Sequence, residues 1–185
     1  MSWVDDKAHA ELERIRVAKA NQVYPYFREF EKGGLHNSIG GKPIINFSSN
    51  DYLGLTDHPK VKEAAKKAVE KYACGLSSAR PQATTTDHVE LEKRLAKWFD
   101  FPSCLTFTTG YQAMVGTISA LADKDTTLVL DAYSHACILD GSFLAAGTPG
   151  RAPEIRFFNH NSAKSLGRIL KTRERKNALV LVEGV

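Results

Sequence analysis

Ser103-Cys104-Leu105-Thr106-Phe107-Thr108-Thr109-Gly110-Tyr111-Gln112-Ala113-Met114-Val115-Gly116-Thr117-Ile118-Ser119-Ala120-Leu121 leads, through a short charged turn, to Thr127-Leu128-Val129-Leu130-Asp131-Ala132-Tyr133-Ser134-His135-Ala136. Residues 103–107 are apolar and β-prone, and Thr108, Thr109 and Gly110 interrupt them. Over residues 111–121 small and apolar side chains recur at helical spacing. The pattern predicts a strand, a tight turn, a helix and a second strand over 127–130. A helix opening at Gly110 aims its first N–H groups at one point, and those donors have no partner inside the helix. The helix dipole adds partial positive charge there, so a phosphate suits the place. On this stretch alone, an ordinary βα turn reads the same way.

His135 changes the balance. It follows a strand that reads as buried, on the side of the sheet where α/β proteins keep their ligands. With the glycine turn it suggests a flat, phosphorylated cofactor, its phosphate on the helix and its ring against the imidazole. Pyridoxal 5'-phosphate (PLP) is such a molecule.

Working outward, composition sets broad limits. The chain has 185 residues, 43% hydrophobic and 25% charged, which suits a globular protein with a real core. The net charge of +4 does not argue for nucleic acid, though it tolerates an anionic ligand. Cys74, Cys104 and Cys137 have no metal-ligand spacing, so no metal site is expected. Their odd number, without a signal sequence, points to a reduced, cytoplasmic setting. No apolar run is long enough to span a bilayer.

Residues 3–22 read as an amphipathic helix that ends near Tyr24-Pro25. Tyr26, Phe27 and Phe30 form an aromatic cluster that needs a cover, on the body of the protein or on a second subunit. Gly33-Gly34 and Gly40-Gly41 bracket a hairpin whose second strand is 43–47. Ser48-Ser49-Asn50-Asp51-Tyr52-Leu53-Gly54 suits an irregular loop bonded to its own backbone. Thr56 or Asp57 can cap a helix that runs to about Tyr72, with Pro59 in its first turn. Residues 74–86 form a long polar loop charged only at Arg80, of a length that is often functional. Asp87 is the expected cap of a helix to about Phe99, with His88, Leu91, Leu95 and Trp98 on one face. Beyond His135, a helix over 136–144, a strand over 154–158, a helix capped by Asn161 or Ser162, and a strand over 177–183 follow. The charge run 171–176 reads as a solvated helix end. Alternating strand and helix from residue 103 onward argue for a mainly parallel sheet flanked by helices.

Several motifs in order now carry a resemblance. They are Asn46-Phe47-Ser48-Ser49-Asn50-Asp51-Tyr52-Leu53-Gly54; His88 with Leu91-Glu92; Thr109-Gly110-Tyr111-Gln112-Ala113; Asp131 with Ser134-His135-Ala136; Phe158 with His160-Asn161; and Glu183-Gly184-Val185. On them the chain resembles the α-oxoamine synthases, a family of PLP enzymes, over nearly its whole length. Met1-Ser2-Trp3 and the placement of Tyr24-Pro25 look most like the oxononanoate-synthase branch.

The resemblance implies an α/β protein. Residues 1–55 would be an N-terminal arm of helix, hairpin and Asn-Asp-Tyr-Leu-Gly loop. Residues 56–185 would be the first part of the mainly parallel-sheet large domain of a fold-type-I PLP enzyme. The implied reaction is a decarboxylative condensation of an amino acid with an acyl-CoA or acyl-carrier thioester, in a homodimer. Carried over by residue, Gly110 and Tyr111 would bind the cofactor phosphate. His135 would stack on its ring and help place the substrate, as the candidate catalytic residue. Glu183 would have a supporting role beside the cofactor. Asn50 would lie near the substrate carboxylate, reaching toward a neighbouring subunit's site, with Arg80 a second substrate-binding candidate.

The chain also departs from the family. The lysine that bonds the cofactor and the aspartate that pairs with its pyridine nitrogen follow the Glu-Gly-Val motif. Neither is expected within these residues, so this polypeptide alone is not expected to complete the reaction. Asn21 stands where the oxononanoate branch carries an arginine thought to meet the pimeloyl carboxylate, and Ala83 replaces a glycine in the loop before His88. An amide lacks the guanidinium's charge and forked donors, which argues against a pimeloyl donor. Two other readings stay open: an aldolase or aminotransferase of the same fold, and a non-catalytic dimerisation module.

Overall fold

The computed structural model describes residues 2–184, which divide into two units between Ala83 and Thr84. The first opens with α1 (Trp3–Ala20). Ser2 and Asp5 form a reciprocal cap: the Ser2 hydroxyl accepts the Asp5 N–H at 3.3 Å, and the Asp5 carboxylate accepts the Ser2 N–H at 2.8 Å. Ile15 and Ala18 are half-buried, but Trp3, Leu12 and Val17 are exposed, so the expected apolar face is only partly covered. The helix stops at Ala20, earlier than Tyr24-Pro25, because Asn21 caps it and Gln22 turns to a φ of 57°.

The hairpin forms as expected. β1 (His36–Ile39) and β2 (Lys42–Ile45) pair antiparallel, with Ile39 opposite Lys42. The linking Gly40 and Gly41 have φ of 55° and 74°, values that call for glycine in a two-residue hairpin turn. In the following loop, Asp51 Oδ1 accepts the N–H groups of Leu55 at 2.8 Å and Thr56 at 3.2 Å. α2 (Pro59–Tyr72) is capped by His58, whose Nδ1 accepts the Lys60 N–H at 3.2 Å, and not by Thr56 or Asp57. Asp57 pairs with Lys62 instead.

The second unit begins with α3 (Thr86–Trp98). Its cap is Thr85, which accepts the His88 N–H at 3.0 Å, and Asp87 falls inside the first turn. The covered face carries Glu92, Leu95 and Ala96, whereas Leu91 and Trp98 are exposed. Residues 103–107 form no strand among the described residues. A strand needs a neighbour, and here Glu92 Oε1 takes both the N–H and the hydroxyl of Thr106, each at 2.8 Å. α4 (Gly110–Leu121), β3 (Thr126–Asp131), α5 (Ala136–Ala146), β4 (Glu154–Phe158), α6 (Ala163–Thr172) and β5 (Asn177–Leu181) complete the unit. Ser162 caps α6.

The strands form a parallel sheet in the order β4-β3-β5. β3 lies in the middle with five of its six residues buried, as a strand covered on both faces should. Leu128 and Leu130 face Ile118 of α4 and Ile138 of α5, while Val129 faces Phe158 and Ile169 of α6. The alternation of side chains along one strand therefore builds two helix-covered layers. Gly141 allows α4 and α5 to close: a Cβ there would meet the Val115 Cα at 3.1 Å and the Ile118 Cδ1 at 3.2 Å.

Candidate functional site

Because the three strands are parallel, their C-terminal ends share one edge. Asp131 ends β3, Phe158 ends β4, and Glu183 lies just beyond β5. His135 stands at the same edge as the N-cap of α5, and its Nδ1 accepts the Cys137 N–H at 3.1 Å. That bond places the proton of the neutral imidazole on Nε2. The His135 N–H donates to Glu183 Oε2 at 2.9 Å. Two residues 48 positions apart, both singled out from sequence, are thus in direct contact. The side chain of His135 remains exposed.

Gly110 and Tyr111 open α4 behind the Thr109 cap, which accepts the Gln112 N–H at 3.1 Å. The first intrahelical bond runs from Ala113 N–H to Thr109 O at 3.1 Å, so the amides of Gly110 and Tyr111 precede it. A Cβ at Gly110 would meet nothing within 4 Å, which leaves room for a ligand to reach the backbone. The Tyr111 hydroxyl donates to Asp140 Oδ2 of α5 at 2.7 Å. α4 and α5, the helices that carry the phosphate and ring candidates, are joined there and through the Gly141 contact.

Sequence reasoning underrated one group. His160 and Asn161 read as a helix-entry turn, yet His160 Nδ1 lies 2.8 Å from Asp131 Oδ1, and the Asn161 N–H donates to Asp131 Oδ2 at 3.0 Å. The Tyr133 N–H also donates to Asp131 Oδ1, at 2.8 Å. These bonds, Tyr133 first and Asn161 next, hold the Asp131 carboxyl down at about 2. The Tyr133 and His160 rings stack at 4.8 Å, tilted by 35°. A cavity of about 500 Å³ opens here, lined by Asp131, Tyr133, His160, Asn161, Leu166 and Glu183 among others. The Phe158-His160-Asn161 motif was the signal available in sequence, without its partner.

Asn50 and Arg80 belong to the first unit. Asn50 Oδ1 accepts from the Tyr52 hydroxyl at 3.4 Å. Among the described residues there is no cluster of three metal-ligating side chains, and no helix is long and apolar enough to cross a membrane.

The family model for aminotransferase class I and II matches residues 42–185, and the chain belongs to that family. Within it, the relatives are α-oxoamine synthases, in line with the motifs. The serine palmitoyltransferase of Bacteriovorax stolpii is 36% identical over 174 residues, covering 92% of this chain and 40% of that protein. The 8-amino-7-oxononanoate synthase of Thermoanaerobacter pseudethanolicus is 34% identical over 177 residues, covering 94% of this chain and 43% of that protein. Among solved structures, a serine palmitoyltransferase of S. paucimobilis with a bound PLP–myriocin aldimine superposes with a TM-score of 0.88 at 31% identity. That match covers all of this chain and 47% of the other. The fold is that of the first part of a fold-type-I PLP enzyme. The chain spans less than half the length of these relatives.

Proposed function

We propose that the protein carrying this chain is a PLP-dependent C-acyltransferase. It would condense an amino acid with an acyl-CoA or acyl-carrier thioester and release carbon dioxide and the thiol. The observation that supports this best is the contact of Glu183 with His135 on the edge that also ends Asp131 and Phe158. Motifs far apart in sequence converge there.

The residues present fit the cofactor. The amides of Gly110 and Tyr111 precede the first bond of a twelve-residue helix with open space over Gly110, which suits a phosphate dianion. The exposed imidazole of His135, on a backbone fixed by Glu183, offers a flat face to a pyridine ring. When bound, PLP supplies the electron sink for a carbanion. His135 holds the ring and orients the substrate, with its proton on Nε2. Asn50 and Arg80 are the candidates for the substrate's carboxylate. We place the cofactor-bonding lysine in the segment that follows Glu-Gly-Val in the family, because none of the lysines here stands in that sequence context. A homodimer and a cytoplasmic setting complete the proposal, with residues 1–55 as arm and 56–185 as the start of the large domain.

The test is made on the protein that carries this chain together with that segment. Free thiol should be released from an acyl-CoA only when a small amino acid is present, in step with carbon dioxide. Amino transfer or carbon–carbon cleavage without any thioester would point to an aminotransferase or aldolase and overturn the proposal.

A further inference from the structure

Four successive backbone amides lead to His135, and each has a partner. Ala132 N–H donates to Phe158 O at 3.0 Å, Tyr133 N–H to Asp131 Oδ1 at 2.8 Å, Ser134 N–H to Asp131 O at 3.1 Å, and His135 N–H to Glu183 Oε2 at 2.9 Å. Asp131 accounts for two of these. Its carboxylate Oδ2 takes the Asn161 N–H at 3.0 Å, and the His160 imidazole closes on Oδ1 at 2.8 Å. The Asp131 side chain is only 13% exposed, so these bonds form where water competes poorly.

We infer that Asp131 is a positioning residue, whose carboxylate ties the Tyr133 amide to the Asn161 amide of the β4–α6 loop so that His135, two residues beyond Tyr133, is presented in one place at the sheet edge. The inference rests on the reading of His135 as the ring-facing residue of a PLP site. A carboxylate is the group this geometry requires. Two of its oxygens serve two backbone N–H groups at once, and an amide in the same position has one acceptor oxygen. None of the partners of the Asp131 side chain is an apolar core residue: they are the turn before His135 and the loop before α6. The bonds therefore fix direction more than they build the core.

The experiment uses the PLP-loaded protein. Asp131→Asn should weaken PLP binding about tenfold, the scale of one lost charge-assisted hydrogen bond, and reduce the visible circular-dichroism band of the bound cofactor. His135→Ala should do the same. The double variant should lose scarcely more than His135→Ala alone, because Asp131 acts through His135. Independent, multiplicative losses would overturn the inference, as would an unchanged dichroic band in Asp131→Asn.

Amide hydrogen exchange on the unaltered protein asks the same question without a variant, and decides it if Asp131→Asn does not fold. The amides of Tyr133, His135 and Asn161 should open together, as one unit. Separate opening of Tyr133 and Asn161 would overturn the inference. Absence of any visible band when PLP is added to the unaltered protein would remove the cofactor reading, while the exchange result would still decide whether the clamp exists.

Discussion

The phenol of Tyr111 donates to Oδ2 of Asp140 at 2.7 Å, tying the first turn of α4 to α5. That hydrogen bond, more than the nearby negative charge, raises the Tyr111 phenol above the ordinary tyrosine value. A carboxylate that accepts the O–H resists its loss, so Asp140→Asn should let Tyr111 ionise at lower pH than in the unaltered protein. An ultraviolet titration of tyrosinate, with Tyr111→Phe to assign the signal, measures this. An unmoved titration would show that the bond does not persist in solution.

Gly141 of α5 lies directly against Val115 and Ile118 of α4. Gly141→Ala should destabilise the protein by about 1–3 kcal/mol, since the new methyl would press on the Val115 backbone and on Ile118, which is itself buried. Equilibrium urea unfolding gives the value. Gly116→Ala is the control: its Cβ would meet Phe107 at an ordinary 3.8 Å, and it should be tolerated.

Thr127 is fully buried in the central strand, and its hydroxyl donates to Glu154 Oε2 at 2.7 Å. Thr127→Val keeps the shape and removes the donor. A loss of about 1–2 kcal/mol is expected, because the hydroxyl pocket and its acceptor are then left without each other. Thermal unfolding should show a lower midpoint for Val than for Thr127→Ser, which retains the bond. The reverse order would assign the position to packing alone.

Asp131 sets an acid-dependent part of stability. Its carboxyl lies at about 2 in the folded protein, against an ordinary 3.8, chiefly through the Tyr133 and Asn161 amides. A depressed carboxyl stabilises fully above its unfolded value, and that contribution is lost as pH falls toward the folded one. The window runs from about pH 4 down to about pH 2. Urea midpoints across that window should fall less steeply for Asp131→Asn than for the unaltered protein. Parallel slopes would mean that Asp131 is not the group titrating there.

Much of this architecture is written in local pattern. The continuous β-prone run of β3 and the helical spacing of α4 are each carried by neighbouring residues, and Gly40-Gly41 specifies its own turn. Caps were less legible, because Thr85 and Asp87 are both competent and the backbone takes whichever has the extended geometry; Thr85 has it, with ψ at 156°. Residues 103–107 show the limit of propensity: the composition suits a strand, but pairing is a property of the neighbour. The Asp131–His160 contact spans 29 residues, so each partner looks like an ordinary loop residue until the sheet brings β3 and β4 side by side. His135 is legible from its place after a buried strand, Glu183 through the family motifs, and their mutual bond only through the fold.

The strand order β4-β3-β5 also dictates a sequence of events during synthesis. The central strand emerges from the ribosome before either of its neighbours does. At about 5–20 residues per second, Thr127-Leu128-Val129-Leu130 waits seconds for an edge to pair with. α4 precedes it and α5 follows directly, and both pack on the face that carries Leu128 and Leu130. The two helices can shield the nascent strand before β4 arrives. Slowing translation when residue 146 has just cleared the ribosome should therefore cost little soluble yield, whereas slowing it when residue 131 has just cleared should increase aggregation.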